Sequence, residues 1–234
     1  MTVGDRMDER LRVLRLLEAE RMARAVFDRA MEEGAITPGR SESEAESAIR
    51  GIAREVAGPM LSGPGRLVRS GPHTVLPTGR RIPDRAIGVD DLVVVDLSPL
   101  MVGHETGFAR TVAFGEDPGQ RRLVEDLYGV FRDGRGTFRG DENITGGQLH
   151  AEVRAFALKA GWDLGTWHVG RPTGAAAEDA SAAARGEEFI APENNKPLRR
   201  TDHAGFRAHW TMEIRLVDTC GGFAGTHKQL LDLV

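Results

Sequence analysis

Cysteine is almost missing from this chain. Cys220 stands alone among 234 residues, which excludes an internal disulfide and fits a reducing compartment such as the cytoplasm. Lysine is nearly as scarce: of 31 basic residues, only Lys159, Lys196 and Lys228 are lysines, so the position of each carries information. A cationic excess is absent too. The formal net charge of −4 gives no electrostatic support to a nucleic-acid partner. No apolar run approaches the roughly 20 residues that span a bilayer, and the charged start MTVGDRMDERLRVLR has no apolar segment of the signal-peptide type. No Gly/Ser/Pro-rich linker divides the chain, so one domain over residues 1–234 is expected.

What is present belongs to a soluble globular protein, with 40% hydrophobic and 28% charged residues. Residues 8–33 read as a helix with Met22, Val26 and Ala30 on one face. After Pro38-Gly39, Ser43 and Glu46 suit a capping box, followed by an amphipathic helix through Ala45, Ile49, Ile52 and Val56. LVVVDL (92–97) is apolar on both faces and β-branched, which predicts an interior strand, and RTVAFG (110–115) predicts its antiparallel return. Leu123, Leu127 and Val130 mark a third helix, into whose core Tyr128 and Phe131 fit. Thr145 caps a fourth helix that turns Leu149, Val153 and Phe156 inward. AHWTMEIRLVD (208–218) alternates as a strand, with His209 and Trp210 in sheet packing, and the terminal LLDLV predicts another. The low-complexity segment 172–188 reads as exposed, and Cys220 as structural. Helices and strands in this order predict an α+β fold, with helices packed on one side of a curved, mostly antiparallel sheet.

The segments ITPGRSESE (36–44), VRSGPHTVLP (68–77), DRAIGVDDLVVVDLSP (84–99), FARTVAFG (108–115), GWDLGTWHVGRPTG (161–174) and HWTMEIRLVD (209–218) keep a common order and spacing. From about Met22 onward they resemble the pita-bread family, the M24-type metallopeptidases, and within it the Xaa-Pro aminopeptidase and creatinase-like branch. The large extra N-terminal domain of some members is not expected in this chain.

The resemblance implies a site for two divalent metals held by five side chains. An aspartate closing the central strand matches Asp96. A bridging aspartate ahead of the return strand falls on Gly107. The histidine of a Gly-His-x-x-Gly turn falls on Arg171. A glutamate on the late strand matches Glu213, and a second bridging glutamate falls on Lys228. Both bridging carboxylates are therefore missing. Arginine and lysine do not ligate metal at neutral pH, but they restore positive charge beside Asp96 and Glu213.

Three readings follow. The first is a metal-independent enzyme without cofactor, acting on a small carboxylated, amino-acid-like molecule by hydrolysis, cyclisation, elimination or isomerisation, with specialised metabolism as a plausible setting by analogy. In it Asp96, Glu213, Lys228, His73 and His168 are catalytic. Arg171, with His104 and Glu105 at the rim, binds substrate. The second is a non-catalytic relative that binds a peptide or small ligand. The third is a metal-dependent Xaa-Pro-type hydrolase with atypical ligands drawn from Asp96, His104, Glu105, His168 and Glu213. Under the resemblance a homodimer is expected. For Arg171 and Lys228 alike, the plain alternative is a solvated surface side chain.

Overall fold

A computed structural model describes residues 3–58, 66–77, 82–100, 107–173, 186–201, 205–220 and 222–233. Two long helices come first, α1 (Val3–Glu32) and α2 (Glu42–Ala57). The first strand β1 (Val68–Ser70), a short 3₁₀ turn (Gly71–Val75), β2 (Leu92–Asp96) and β3 (Ala109–Ala113) follow. The second helix pair is α3 (Pro118–Gly140) and α4 (Gly146–Lys159). The chain closes with β4 (Asp163–Leu164), β5 (Gly170–Pro172), β6 (Trp210–Val217) and β7 (Ala224–Leu230).

Among the described residues these strands form one antiparallel sheet in the order β1-β2-β3-β7-β6-β4, with β5 also paired to β6. The predicted α+β class is the class observed. Val93 and Val95 pack with Ala19, Val26, Ile49 and Ile52 of α1 and α2. Met212, Ile214 and Leu216 pack with Leu127, Phe131, Leu149 and Val153 of α3 and α4. Successive strand residues point to opposite faces. Both helix pairs therefore cover one face, and Asp96, Glu213 and their cross-strand partners turn to the other.

Several local expectations change. The capping box on α2 is Ser41 with Glu44, not Ser43 with Glu46. Ser43 instead bonds Asp84, and Glu46 accepts from the amides of Leu67 and Val68. The two serine–glutamate pairs share the same spacing, and the winner is set by where the chain pairs: Ser41 bridges to Ala86. The last strand is AGTHKQL, which takes in only Leu230 of the predicted LLDLV. Its polar residues hid it, yet every residue of β7 is buried. Gly225 is required there, because a Cβ would run into Leu123 and Leu127 of α3. Tyr128 is 56% exposed rather than core, since it sits beside the buried stripe of Leu123, Leu127 and Phe131. Cys220 is exposed and free rather than packed. His209 is buried as expected, but between two carboxylates, Asp232 at 2.6 Å and Glu9 at 3.1 Å. No helix among the described residues is long and apolar enough to cross a membrane.

Candidate active site

Strand register assembles the site. Asp96 pairs with Ala109, Ala109 with Lys228, and Lys228 with Glu213. Directly paired residues share a face, so one row across β2, β3, β7 and β6 carries Asp96, a small alanine, Lys228 and Glu213. Ala109 leaves room above itself, and Lys228 reaches both acids. Its Nζ lies 2.9 Å from Glu213 Oε2, 3.4 Å from Asp96 Oδ2 and 3.3 Å from Ser98 Oγ. Three donors meet three acceptors, which uses the full capacity of an ammonium group.

Burial alone would neutralise this lysine, because desolvating an ion costs several kcal/mol. Asp96 and Glu213 outweigh that burial and raise the Lys228 ammonium above its usual value, with Arg171 opposing them. For Asp96, burial pushes the carboxyl up. Lys228 and the two bonds from Ser98 pull harder, so it ends below the usual carboxylate range. The Ser98 amide fixes the other Asp96 oxygen at 2.8 Å. Asp-x-Ser at a strand end is a local turn signature, and Ser98 was the residue that sequence reasoning missed.

Gly107 is coupled to this arrangement. A Cβ there would stand 2.9 Å from Lys228 Cδ and 2.8 Å from Ser98 Oγ. The absent side chain at 107 is thus the space through which Lys228 passes. The two departures from the family pattern are one structural change.

Arg171 also joins the site. It faces Thr211 across the β5–β6 pair, and Glu213 lies two residues along β6 on the same face. It acts electrostatically on both Lys228 and His168. Among the described residues it has no hydrogen-bond or carboxylate partner. His168 is half-buried, and its Nδ1 is buried without a partner. Burial lowers its pKa to about 4, with Lys228, Arg171 and His150 adding to the effect and Glu213 opposing it. It is a neutral imidazole at neutral pH. Trp167 and Phe189 stack at 5.3 Å, and His168 stands edge-on to both.

His73 does not join the cluster through any hydrogen bond. Its Nδ1 lies 3.0 Å from both oxygens of Glu42, a fully buried carboxylate that also accepts from Ser70 and Arg66. The 3₁₀ turn that carries it packs on β2 and β7. His104 and Glu105 lie outside the described residues.

Among the described residues, no three His, Cys, Asp or Glu side chains come together in a way that could hold a metal ion. Asp96, His168 and Glu213 thus do not form the atypical ligand set considered above. The two family carboxylates that remain are already paired with an ammonium, so among the described residues the donor set does not fit a two-metal centre.

The family model that matches is metallopeptidase family M24, over residues 15–197; Glu213 and Lys228 lie beyond its end. Solved structures with a similar fold include a prolidase from Thermococcus sibiricus, at 22% identity and TM-score 0.67, covering 97% of this chain and 57% of that one. They also include the dipeptidase PepE from Mycobacterium ulcerans, at 21% identity and TM-score 0.64, covering 92% and 54%. A third is an X-Pro aminopeptidase from Thermotoga maritima, at 16% identity and TM-score 0.65, covering 92% and 56%. At such identities the likeness is one of fold. The chain spans little more than half the length of these proteins. No curated protein matches it.

Proposed function

The chain belongs to metallopeptidase family M24, and from that premise we propose that it is a metal-independent enzyme on a peptidase-like scaffold. Its substrate is a small carboxylated, amino-acid-like molecule, and its means are acid/base and electrostatic catalysis. One observation carries the reading: the Lys228 ammonium lies between Asp96 and Glu213, bonded to both. A cation belonging to the chain takes the place where these acids would otherwise gather a metal.

The residues then divide the work by charge. Lys228 is held protonated, so it is no nucleophile; it fixes the carboxylates and supplies positive potential to a developing oxyanion. Arg171, without a side-chain partner among the described residues, suits a bidentate grip on a substrate carboxylate. His168 is neutral, which suits a hydrogen-bond donor or a proton acceptor rather than an acid that spends an imidazolium proton. Glu42 holds the His73 ring through Nδ1, which leaves Nε2 as the ring atom for proton transfer. Hydrolysis, cyclisation, elimination and isomerisation all use these elements. An exposed free thiol at Cys220 accords with a reducing, cytoplasmic setting.

The test is turnover of a panel of free and N-acylated amino acids before and after exhaustive chelation. The proposal expects turnover that chelation leaves unchanged and that Lys228→Met and Arg171→Leu abolish. Turnover lost on chelation and restored by a divalent metal overturns it. A binding protein without catalysis is the second reading. It is favoured by one observation: among the described residues no imidazole hydrogen-bonds Asp96, Lys228 or Glu213.

A further inference from the structure

Asp96 and Glu213 have cations beside them other than Lys228. Arg69 pairs with Val94, two residues before Asp96 on β2, and Arg215 follows Glu213 by two on β6. A strand turns every second residue to the same face, so both arginines stand on the face of the acids. Arg69 acts electrostatically on Asp96, and Arg215 on Glu213. Burial lowers the pKa of each guanidinium, yet arginine stays ionised in proteins.

Their hydrogen bonds leave that charge uncancelled. Arg69 Nη1 donates to the carbonyls of Leu76 at 2.7 Å and Pro77 at 3.1 Å. Arg215 donates to the Thr74 carbonyl and to Thr226 Oγ1. These acceptors are dipoles without net charge. They fasten the 3₁₀ turn across the sheet and keep both guanidinium groups in place.

The face thus sets Arg69, Arg171, Arg215 and Lys228 against Asp96 and Glu213, a surplus of cations. Acids outside it do not reverse the sign. Glu42 of α2 is paired with Arg66, and Glu46 has the smallest effect on Arg69. Asp84, 3.8 Å from Arg66, is 42% exposed and screened by water. His73 and His168 can add only positive charge. An ammonium brought beside Asp96 or Glu213 would meet this surplus, and it would have to compete for acids that Lys228 already holds.

We propose that the site takes a carboxylate whose nitrogen carries no charge, an N-acylated amino acid, and turns away free amino acids and free peptide N-termini. The inference rests on the reading of Arg171 as a carboxylate clamp and adds the sign of the surroundings. The carboxylate meets Arg171, and the acyl nitrogen brings no charge into the cationic face.

The probes are N-acetylalanine, alanine, alanine amide and N-acetylalanine amide, titrated by calorimetry. The proposal expects N-acetylalanine to bind and alanine to bind at least about tenfold more weakly, the scale of one like-charge encounter across roughly 10 Å in a half-buried site. Alanine amide, a cation without a carboxylate, does not bind. Arg215→Met narrows the gap between N-acetylalanine and alanine, while Arg215→Lys, which keeps the charge, preserves it. Melting checks that both variants fold, and the wild-type comparison stands without them. Alanine binding as tightly as N-acetylalanine overturns the inference; if Arg171→Leu weakens both, the carboxylate reading stands. A gap untouched by Arg215→Met assigns the preference to shape rather than charge and overturns the inference as well. N-acetylalanine amide binding as tightly as N-acetylalanine, with no response to Arg171→Leu, overturns both this inference and the reading beneath it. Absence of N-acetylalanine binding at millimolar concentration overturns the inference, and an Arg171-dependent carboxylate found in the wider panel would still uphold the functional reading.

Discussion

Lys228 decides what the site can do. Its side chain is only 8% exposed, against 18% for Glu213 and 26% for Asp96. Removing one partner of a buried ion pair costs about 3–5 kcal/mol, because the other charge is left without compensation. The acids keep some contact with water, so Lys228→Met is expected near the lower end, about 3 kcal/mol in urea unfolding. Adding Asp96→Asn and Glu213→Gln should restore most of that loss, since no buried charge then remains. A Lys228→Met cost below about 0.5 kcal/mol, the scale of a surface change, would show a solvated lysine. Much of this site was legible through the family resemblance, which singled out Asp96, Glu213, Arg171 and Lys228 position by position. That Gly107 exists to admit Lys228 was not, because the two positions lie far apart in sequence and meet only through the β3–β7 pairing. The carboxylate that holds His73, Glu42, was not legible either, because it comes from α2, far off in sequence.

At the scale of elements, Gly107 and β7 form a matched pair. Gly107→Ala should destabilise by about 1–3 kcal/mol, the range for overpacking, because its methyl meets Lys228 Cδ and Ser98 Oγ. In a Lys228→Ala background the same substitution should cost less, with only the Ser98 Oγ contact left to relieve. Additive effects in that double-mutant cycle would refute the coupling. The helices were readable from periodicity, as was β2, whose run of apolar β-branched residues has one interpretation. β7 was not, because Thr226, His227, Lys228 and Gln229 are buried for reasons supplied by their neighbours. Lys228 meets the acids, Thr226 meets Thr111, and His227 meets the Phe131 ring. Polar residues that satisfy one another across strands leave no hydrophobic alternation for a sequence to display.

The whole molecule should respond to acid through its buried imidazoles. Burial lowers the pKa of His168 to about 4 and of His227 to about 3, whereas an unfolded histidine titrates near 6.5. Stability from these groups is complete above about pH 6.5 and is lost as pH falls, because the unfolded chain then takes up protons that the folded chain refuses. Near pH 5 two such protons give a slope of about 2.7 kcal/mol per pH unit. Urea unfolding between pH 7 and pH 5 measures it, and His168→Asn should reduce it by about half; a flat profile would contradict the burial of both rings. The proposed function rests on one substitution of principle, a cation of the chain in place of a metal. Elemental mass spectrometry tests it most directly, on protein as purified and again after incubation with manganese, cobalt, iron or zinc and desalting. Metal far below one equivalent per chain in every sample is the expected result. One or two equivalents retained would contradict it, because Lys228 would then have to give up Asp96 and Glu213.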